Sequence, residues 1–374
     1  MKKYRIFSLS LVACMGLSLV ACGKNVQTGS TAGNGKSQQQ VERVKSDFTF
    51  LKKLGITQLD SLEFVDTFDG NSFSNHSLHL SKTQGVALLS GVVNEELIKS
   101  GGASIVGIKA LPHGLTLVLY SVECGDGTFD YVCIHNKQGK RTDAMAVINQ
   151  WHAIFCQYPD PMPQGHAVKN ECITHCHFTA PTHFELQESF VTSHIIVNEE
   201  QPDSPAKKVK DVAVLKRVKQ YDIDAQGHFV VGKTITKQSV GVDAYWLVMT
   251  KIDDIEGLPH SSNKQLDLLN SLHEELFGPK RDEALEDRDE DLFCRMQFVL
   301  DGFYCINAQQ VLKWMATHRN KSTNHLVEVF ESLLSTGYID KYDLVVAIEK
   351  MTNPEERAYM EKLTAQWGLE GAVG

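Results

Sequence analysis

The stretch VAVLKRVKQYDIDAQGHFVVGKTI, Val212 to Ile235, decides the fold. Two runs rich in β-branched residues flank DIDAQGHF, and Gly227 sits where the chain must reverse. A glycine there suits the left-handed residue that closes a three-to-five-residue hairpin loop. The stretch therefore predicts two antiparallel strands joined by a short turn. IHNKQGKR, Ile134 to Arg141, repeats the arrangement around Gly139, and ECGDGTF, Glu123 to Phe129, is a third hairpin turn. Between these turns lie SLHLSK, LTLVLYSVE, FDYVCIHN, FVTSHIIVN and YWLVMTKI, all short and bounded by turn residues. From about Ile56 to Ile255 the expectation is an antiparallel β-rich domain, a sandwich or an open barrel. A short amphipathic helix over Val41 to Leu54 precedes it, and Val93 to Lys99 forms a lone helical turn within it.

Past Leu258 the period changes to that of helices. Leu269, Leu272 and Leu276 share a face stopped by Gly278-Pro279. Leu285, Leu292, Met296 and Val299 form the next face, expected to halt at Asp301-Gly302, and Val311, Leu312 and Met315 follow an Asn307 cap. Leu326, Phe330 and Leu333 exit at Gly337. Leu344, Ala347, Ile348 and Met351 follow Asp340, and Asn353-Pro354 opens the last helix. The fold class is thus α+β, with a β-rich domain over 41–258 and an acidic all-α domain over 259–374.

The beginning of the chain has another character. Lys2, Lys3 and Arg5 precede an apolar run from Ile6 to Ala21, the layout of an export signal over 1–22. Residues 23–40, GKNVQTGSTAGNGKSQQQ, have almost nothing to bury and form a flexible linker. Leu19-Val20-Ala21-Cys22 resembles the lipobox of bacterial lipoproteins. The resemblance implies that Cys22 carries a diacylglycerol, becomes the mature N-terminus and ties the chain to a lipid bilayer. LVAC also occurs at Leu11 to Cys14, but only the second copy follows a full apolar run. With Gly23 rather than Asp after the cysteine, the resemblance leans toward the outer membrane.

The full chain of 374 residues has a formal charge of −9. Without Lys2, Lys3 and Arg5, 34 basic residues face 46 acidic ones. Residues 261–374 alone hold 12 basic and 20 acidic side chains. Phosphate backbones repel such a chain, which excludes nucleic acid as the expected partner.

Beyond Cys14 and Cys22 seven cysteines remain: Cys124, Cys133, Cys156, Cys172, Cys176, Cys294 and Cys305. An exported compartment permits disulfides, and Cys124 with Cys133 and Cys294 with Cys305 flank tight turns as candidate staples, with Cys156 a further candidate. The densest chemistry is NECITHCHFTAPTH, Asn170 to His183, where Cys172, His175, Cys176, His177 and His183 are all zinc-ligand types. Disulfides or inert thiols, a zinc site and a catalytic thiol all remain open for it. LHEELF, Leu272 to Phe277, pairs His273 with Glu274 but places Phe277 where a metalloprotease helix needs its second histidine.

GYIDKYDLVVAIEKM, Gly337 to Met351, resembles the second half of an EF-hand, with HLVEVFESLL as the entering helix. The resemblance implies a paired helix-loop-helix that has lost calcium, since Ser332, Leu334 and Thr336 replace the first ligands. No cofactor is required by any of these motifs. The expectation is a membrane-anchored cell-envelope lipoprotein of non-enzymatic binding or scaffolding type, with an envelope protein or glycan as partner. The alternative is a zinc-binding protein or zinc-dependent hydrolase using the Cys172–His177 cluster.

Overall fold

A computed structural model describes residues 48–57, 59, 62, 67–69, 77–124, 127–149, 163–197, 205–280, 282–320 and 322–368. The expected export signal and linker, Cys22 and Cys156 lie outside the described residues.

Two five-stranded antiparallel sheets precede a set of helices, as the α+β expectation has it. The first sheet has the order β2 (Leu78–Leu80), β3 (Ala103–Ala110), β4 (Thr116–Cys124), β5 (Gly127–His135), β6 (Arg141–Asn149). The second has the order β1 (Thr67–Asp69), β7 (His166–Ala180), β8 (His183–Ile196), β9 (Lys207–Ile223), β10 (Phe229–Val240). Nearly all these strands are linked as hairpins, so local turn chemistry sets much of the register. Gly139 and Gly227 both have positive φ, 81° and 84°, in the β5–β6 and β9–β10 turns. At Gly227 a side chain would also collide, because a Cβ would lie 2.6 Å from Thr142 Oγ1.

Strand alternation divides the first sheet into two apolar faces. Leu117, Leu119, Val132 and Ile134 share a core with Phe184, Leu186, Tyr221 and Phe229 of the second sheet, making a sandwich. Val118, Tyr120, Val122 and Cys133 face the other way, onto α1 (Thr49–Lys53), α2 (Lys82–Leu89) and α3 (Glu95–Ser100). Ser81 and Gln84 form a capping box at the start of α2.

The helical part comprises α4 (Ala244–Glu256), α5 (Gln265–Phe277), α6 (Asp289–Thr317), α7 (Leu326–Thr336), α8 (Lys341–Glu349) and α9 (Pro354–Gln366) around one apolar core. Two expectations are corrected here. YWLVMTKI is not a strand but most of α4. Asp243 caps it by accepting from the Trp246 N–H at 3.0 Å, and Val248, Ile252 and Ile255 then enter the helical core. A short apolar run fits either period, and the cap decides. The helical body therefore begins at Ala244, ahead of residue 259. Asp301-Gly302 does not stop a helix either: α6 runs through it, held by buried Val299, Leu300 and Tyr304. Its helical geometry breaks at Asn307 (φ −151°, ψ 78°), whose Oδ1 accepts from the Gln310 N–H at 3.1 Å. The expected Asn307 cap is thus present, inside one long element.

Candidate functional site

Asp143 on β6 joins three parts of the molecule. Its carboxylate accepts from the N–H of Ala144 (2.9 Å), the N–H of Phe229 at the start of β10 (2.8 Å), and the N–H and hydroxyl of Ser261 ahead of α5 (2.9 and 2.6 Å). Arg141 donates to the carbonyls of Leu88 and Ser90 at the end of α2, at 2.9 and 2.8 Å. The His260 N–H donates to the Ala144 carbonyl at 2.8 Å. These bonds dock the α4–α5 connection and the α2–α3 turn on the edge of the first sheet.

A cavity of about 200 Å³ opens at this junction. Gly91 from the α2–α3 turn, Glu256 and His260 from the end of α4 and the following loop, Gln265 from α5, and Phe303, Asn307 and Gln310 from α6 line it. The Gln265 amide donates to the Pro259 carbonyl at 2.9 Å, which fixes its orientation. Phe303, Asn307 and Gln310 stand at the i, i+4 and i+7 spacing of one helix face, with the break in helical geometry at Asn307 itself. Burial lowers the pKa of His260, and the nearby Arg141 lowers it further, against Asp143 and a hydrogen bond to the Gly91 backbone, which raise it. Glu256 accepts a charge-assisted hydrogen bond from Arg295 of α6.

Glu256 is also the end of a buried chain of charges. Arg295 donates to Asp253 as well, at 2.9 Å. Next to it Asp254 binds Arg217 (2.8 Å) and Lys219 (2.6 Å) of β9, and both cations reach Glu188 of β8 (2.6 and 2.9 Å). Burial pushes Asp253 up to about 6 against the pull of Arg295. For Lys219 burial acts downward, but Glu188 and Asp254 outweigh it and the pKa is raised. Each charge has a partner, so the chain clamps the second sheet to α4 and α6.

The zinc-type residues are not brought together. They lie on β7 and at the start of β8, where alternate side chains take opposite faces. Cys172 and Cys176 share the face of Leu186 and Glu188, whereas His175 and His177 are on the other. His183 Nδ1 is 2.8 Å from Asp222 Oδ1 of β9. Among the described residues no three His, Cys, Asp or Glu side chains are grouped to hold a metal ion. Burial pushes the Cys172 thiol up to about 12, which disfavours the thiolate a nucleophile needs.

The expected staples are apart as well. Cys124 stands opposite Gly127, and Cys133 opposite Val118 further along the same ladder. Cys294 and Cys305 are both free thiols on α6, about 16 Å apart at 1.5 Å per residue. In the EF-hand-like stretch Ser332, Leu334 and Thr336 belong to α7 rather than to a loop. The Ser332 hydroxyl accepts from the Gln297 amide at 2.6 Å.

Sequence reasoning identified Asn307 only as a cap and missed Glu256, His260, Gln265 and Gln310. They have no common spacing, and the wall they form with Gly91 draws on elements more than 200 positions apart. Among the described residues no helix is long and apolar enough to cross a membrane. Comparison with models of known protein families, with curated proteins and with solved structures returns no match.

Proposed function

We propose that this chain is a lipid-anchored protein of the cell envelope that binds its ligand without transforming it, with the junction cavity as its binding site. The observation that carries the reading is the cavity wall. It brings hydrogen-bonding groups from three separate parts of the fold into one concave surface beside apolar side chains, the composition of a small-molecule site. Its groups suit holding rather than proton transfer. Glu256 is tied to Arg295, the His260 ring is bonded to the Gly91 backbone, and the amides of Gln265, Asn307 and Gln310 do not titrate. The anchor rests on Leu19-Val20-Ala21-Cys22 after the charged and apolar leader, and Gly23 favours the outer membrane. The acidic balance favours an envelope protein or glycan over nucleic acid.

Two measurements test this. Mass spectrometry of the product from a bacterial host is expected to find the chain beginning at an acylated Cys22, and Cys22→Ala to abolish the modification. An unmodified Met1 end would overturn the anchor. Thermal melting of the acylated protein in detergent, with neutral small solutes at millimolar concentration, is expected to rise for at least one class. A ligand that binds only the folded state stabilises it by RT ln(1 + [L]/Kd). No rise with monosaccharides, neutral amino acids or nucleosides would overturn the binding site.

A further inference from the structure

We infer that the face formed by α6 and the start of α8 docks a basic segment of a partner protein, whose lysine or arginine side chains settle among exposed aromatic rings and carboxylates. The surface shares no residue with the cavity wall. Phe298 on α6, Tyr338 in the α7–α8 turn and Tyr342 on α8 are 54%, 55% and 67% exposed. The Phe298 and Tyr338 rings meet edge to face, with centroids 5.9 Å apart. Asp301 follows Phe298 by one turn of α6. Asp340 opens α8, accepting from the Tyr342 N–H at 2.7 Å, and Asp343 lies in the first turn. Exposed aromatic rings gathered in one patch mark an interaction surface.

The charge of the patch is unanswered within the chain. Among the described residues the Asp301 carboxylate meets only the Cys305 thiol, at 3.7 Å, and Asp340 only the N–H groups of Tyr342 and Asp343; no cation pairs with either or with Asp343. Tyr304 of α6, 8% exposed, turns toward the same acids: burial raises its pKa, and Asp343, Cys305, Asp301 and Asp340 raise it further. Its hydroxyl has no hydrogen-bond partner. The helix dipole explains acids at the start of α8. It does not explain Asp301, which sits half-way along α6. Among the described residues the three carboxylates are not grouped to hold a metal ion, so the matching cation is organic. Rings more than half exposed cannot enclose a small ammonium solute, which needs a concave site covering most of its surface. A protein partner has no such need. Its lysine or arginine stems lie along the rings while their charged ends reach the acids, and buried aromatic anchors carry much of an interface's energy. The excess of acidic over basic side chains in residues 261–374, 20 against 12, steers a basic partner to this part of the molecule.

The test is fluorescence anisotropy of the full-length protein in detergent at physiological salt. The probes are fluorescein-labelled dodecapeptides that alternate serine with arginine, lysine or glutamate. The arginine and lysine peptides are expected to bind, arginine the more tightly because its guanidinium also stacks on aromatic faces, and the glutamate peptide not to bind. The bound basic peptides are expected to slow alkylation of Cys305, which is exposed and next to Asp301. Phe298→Ala, Tyr342→Ala and Asp301→Asn are each expected to weaken the arginine peptide about fivefold, whereas Glu171→Gln on β7 leaves its affinity unchanged. Phe298 and Tyr342 are exposed, so their variants are expected to keep the parent melting temperature. Failure of both basic peptides to bind would overturn the proposal, as would equal affinity in the three variants. Binding of choline, lost in the same variants, where no peptide binds would assign the patch to a small cation and overturn the protein partner. A dimer of the free chain in sedimentation, dissociated by the same variants, would make the occupant a second copy and overturn a foreign one.

Discussion

Three buried side chains carry charge or proton affinity out of proportion to their size. Asp143 accepts four hydrogen bonds from three segments, and only 3% of it is exposed. Asp143→Ala leaves four donors without their acceptor, and bonds to charged groups contribute roughly 1.5–3 kcal/mol each. Denaturant unfolding is expected to show a loss of about 4 kcal/mol. Asp130 on β5 is the opposite case. It is wholly buried, and burial pushes its pKa up to about 7, with the Ser121 hydroxyl opposite it on β4 pulling it back only in part. The folded chain thus binds a proton that the unfolded chain releases near pH 4. Stability falls as pH rises from about 4 to about 7. Asp130→Asn is expected to remove that slope and to unfold later in urea at pH 8, by about 2 kcal/mol. His273 on α5 has the reverse sign. It is buried among Phe277, Phe293 and His325 with neither ring nitrogen bonded, and burial, then His325, lowers its pKa to about 4. The unfolded chain takes up this proton near pH 6.5, so its cost is absent above that value and grows as pH falls toward 4. His273→Phe is expected to gain about 2 kcal/mol relative to the parent at pH 5 and to differ little from it at pH 8 on this account.

At the scale of elements, α6 carries a direct check. Cys294 and Cys305 are exposed on it, whereas Cys133 on β5 is fully buried. Burial raises both helical thiols, Cys305 to about 11, with acidic neighbours adding to the shift. A maleimide is therefore expected to label both in the native protein, slowly at pH 7 and faster as pH rises, and to reach Cys133 only after denaturation. Peptide mapping of the labelled sites decides this, and a disulfide between Cys294 and Cys305 would contradict their placement. The same helix shows how far the sequence could be read. Its apolar face and its Asn307 cap were legible because both are local. Its continuity through Gly302 was not, since an interior glycine costs a helix only about 1 kcal/mol relative to alanine and buried neighbours override it. The hairpins around Gly139 and Gly227 were legible because a positive φ leaves few residue choices. The helical nature of Tyr245–Ile252 was hidden because Trp246 and Thr250 are buried as well as Val248 and Ile252, which blurs the period. The Cys172–His183 run looked like a ligand cluster for a related reason. Proximity along a strand separates neighbours onto opposite faces, whereas the cavity wall gathers residues that no spacing connects.

For the whole molecule, the junction between sandwich and helices rests on polar contacts more than on shared apolar core. The helical core cluster draws all its buried members from Val248 onward, and the core between the sheets takes none from the helices. What crosses between the second sheet and α4 is the set Glu188, Arg217, Lys219 and Asp254. Arg217 and Glu188 are 8% and 6% exposed at the side chain, so their desolvation cost is large and their mutual attraction must offset it. Removing one partner and replacing the whole set therefore have different consequences. Glu188→Gln leaves two buried cations on Asp254 alone and is expected to cost about 3 kcal/mol in denaturant unfolding. Arg217→Met with Glu188→Leu, Lys219→Leu and Asp254→Leu removes every charge at once and is expected to be close to neutral by the same measurement. If the ion set also fixes how the sheet and helices meet, the apolar quadruple variant keeps its stability but loses that alignment. Glu256 and Arg295 would then shift at the cavity wall, and the affinity for a solute that binds in the cavity is expected to fall at least tenfold while the melting temperature stays within a few degrees. Equal affinity in the quadruple variant would mean that the hydrogen bonds of Asp143 alone hold the two parts in register.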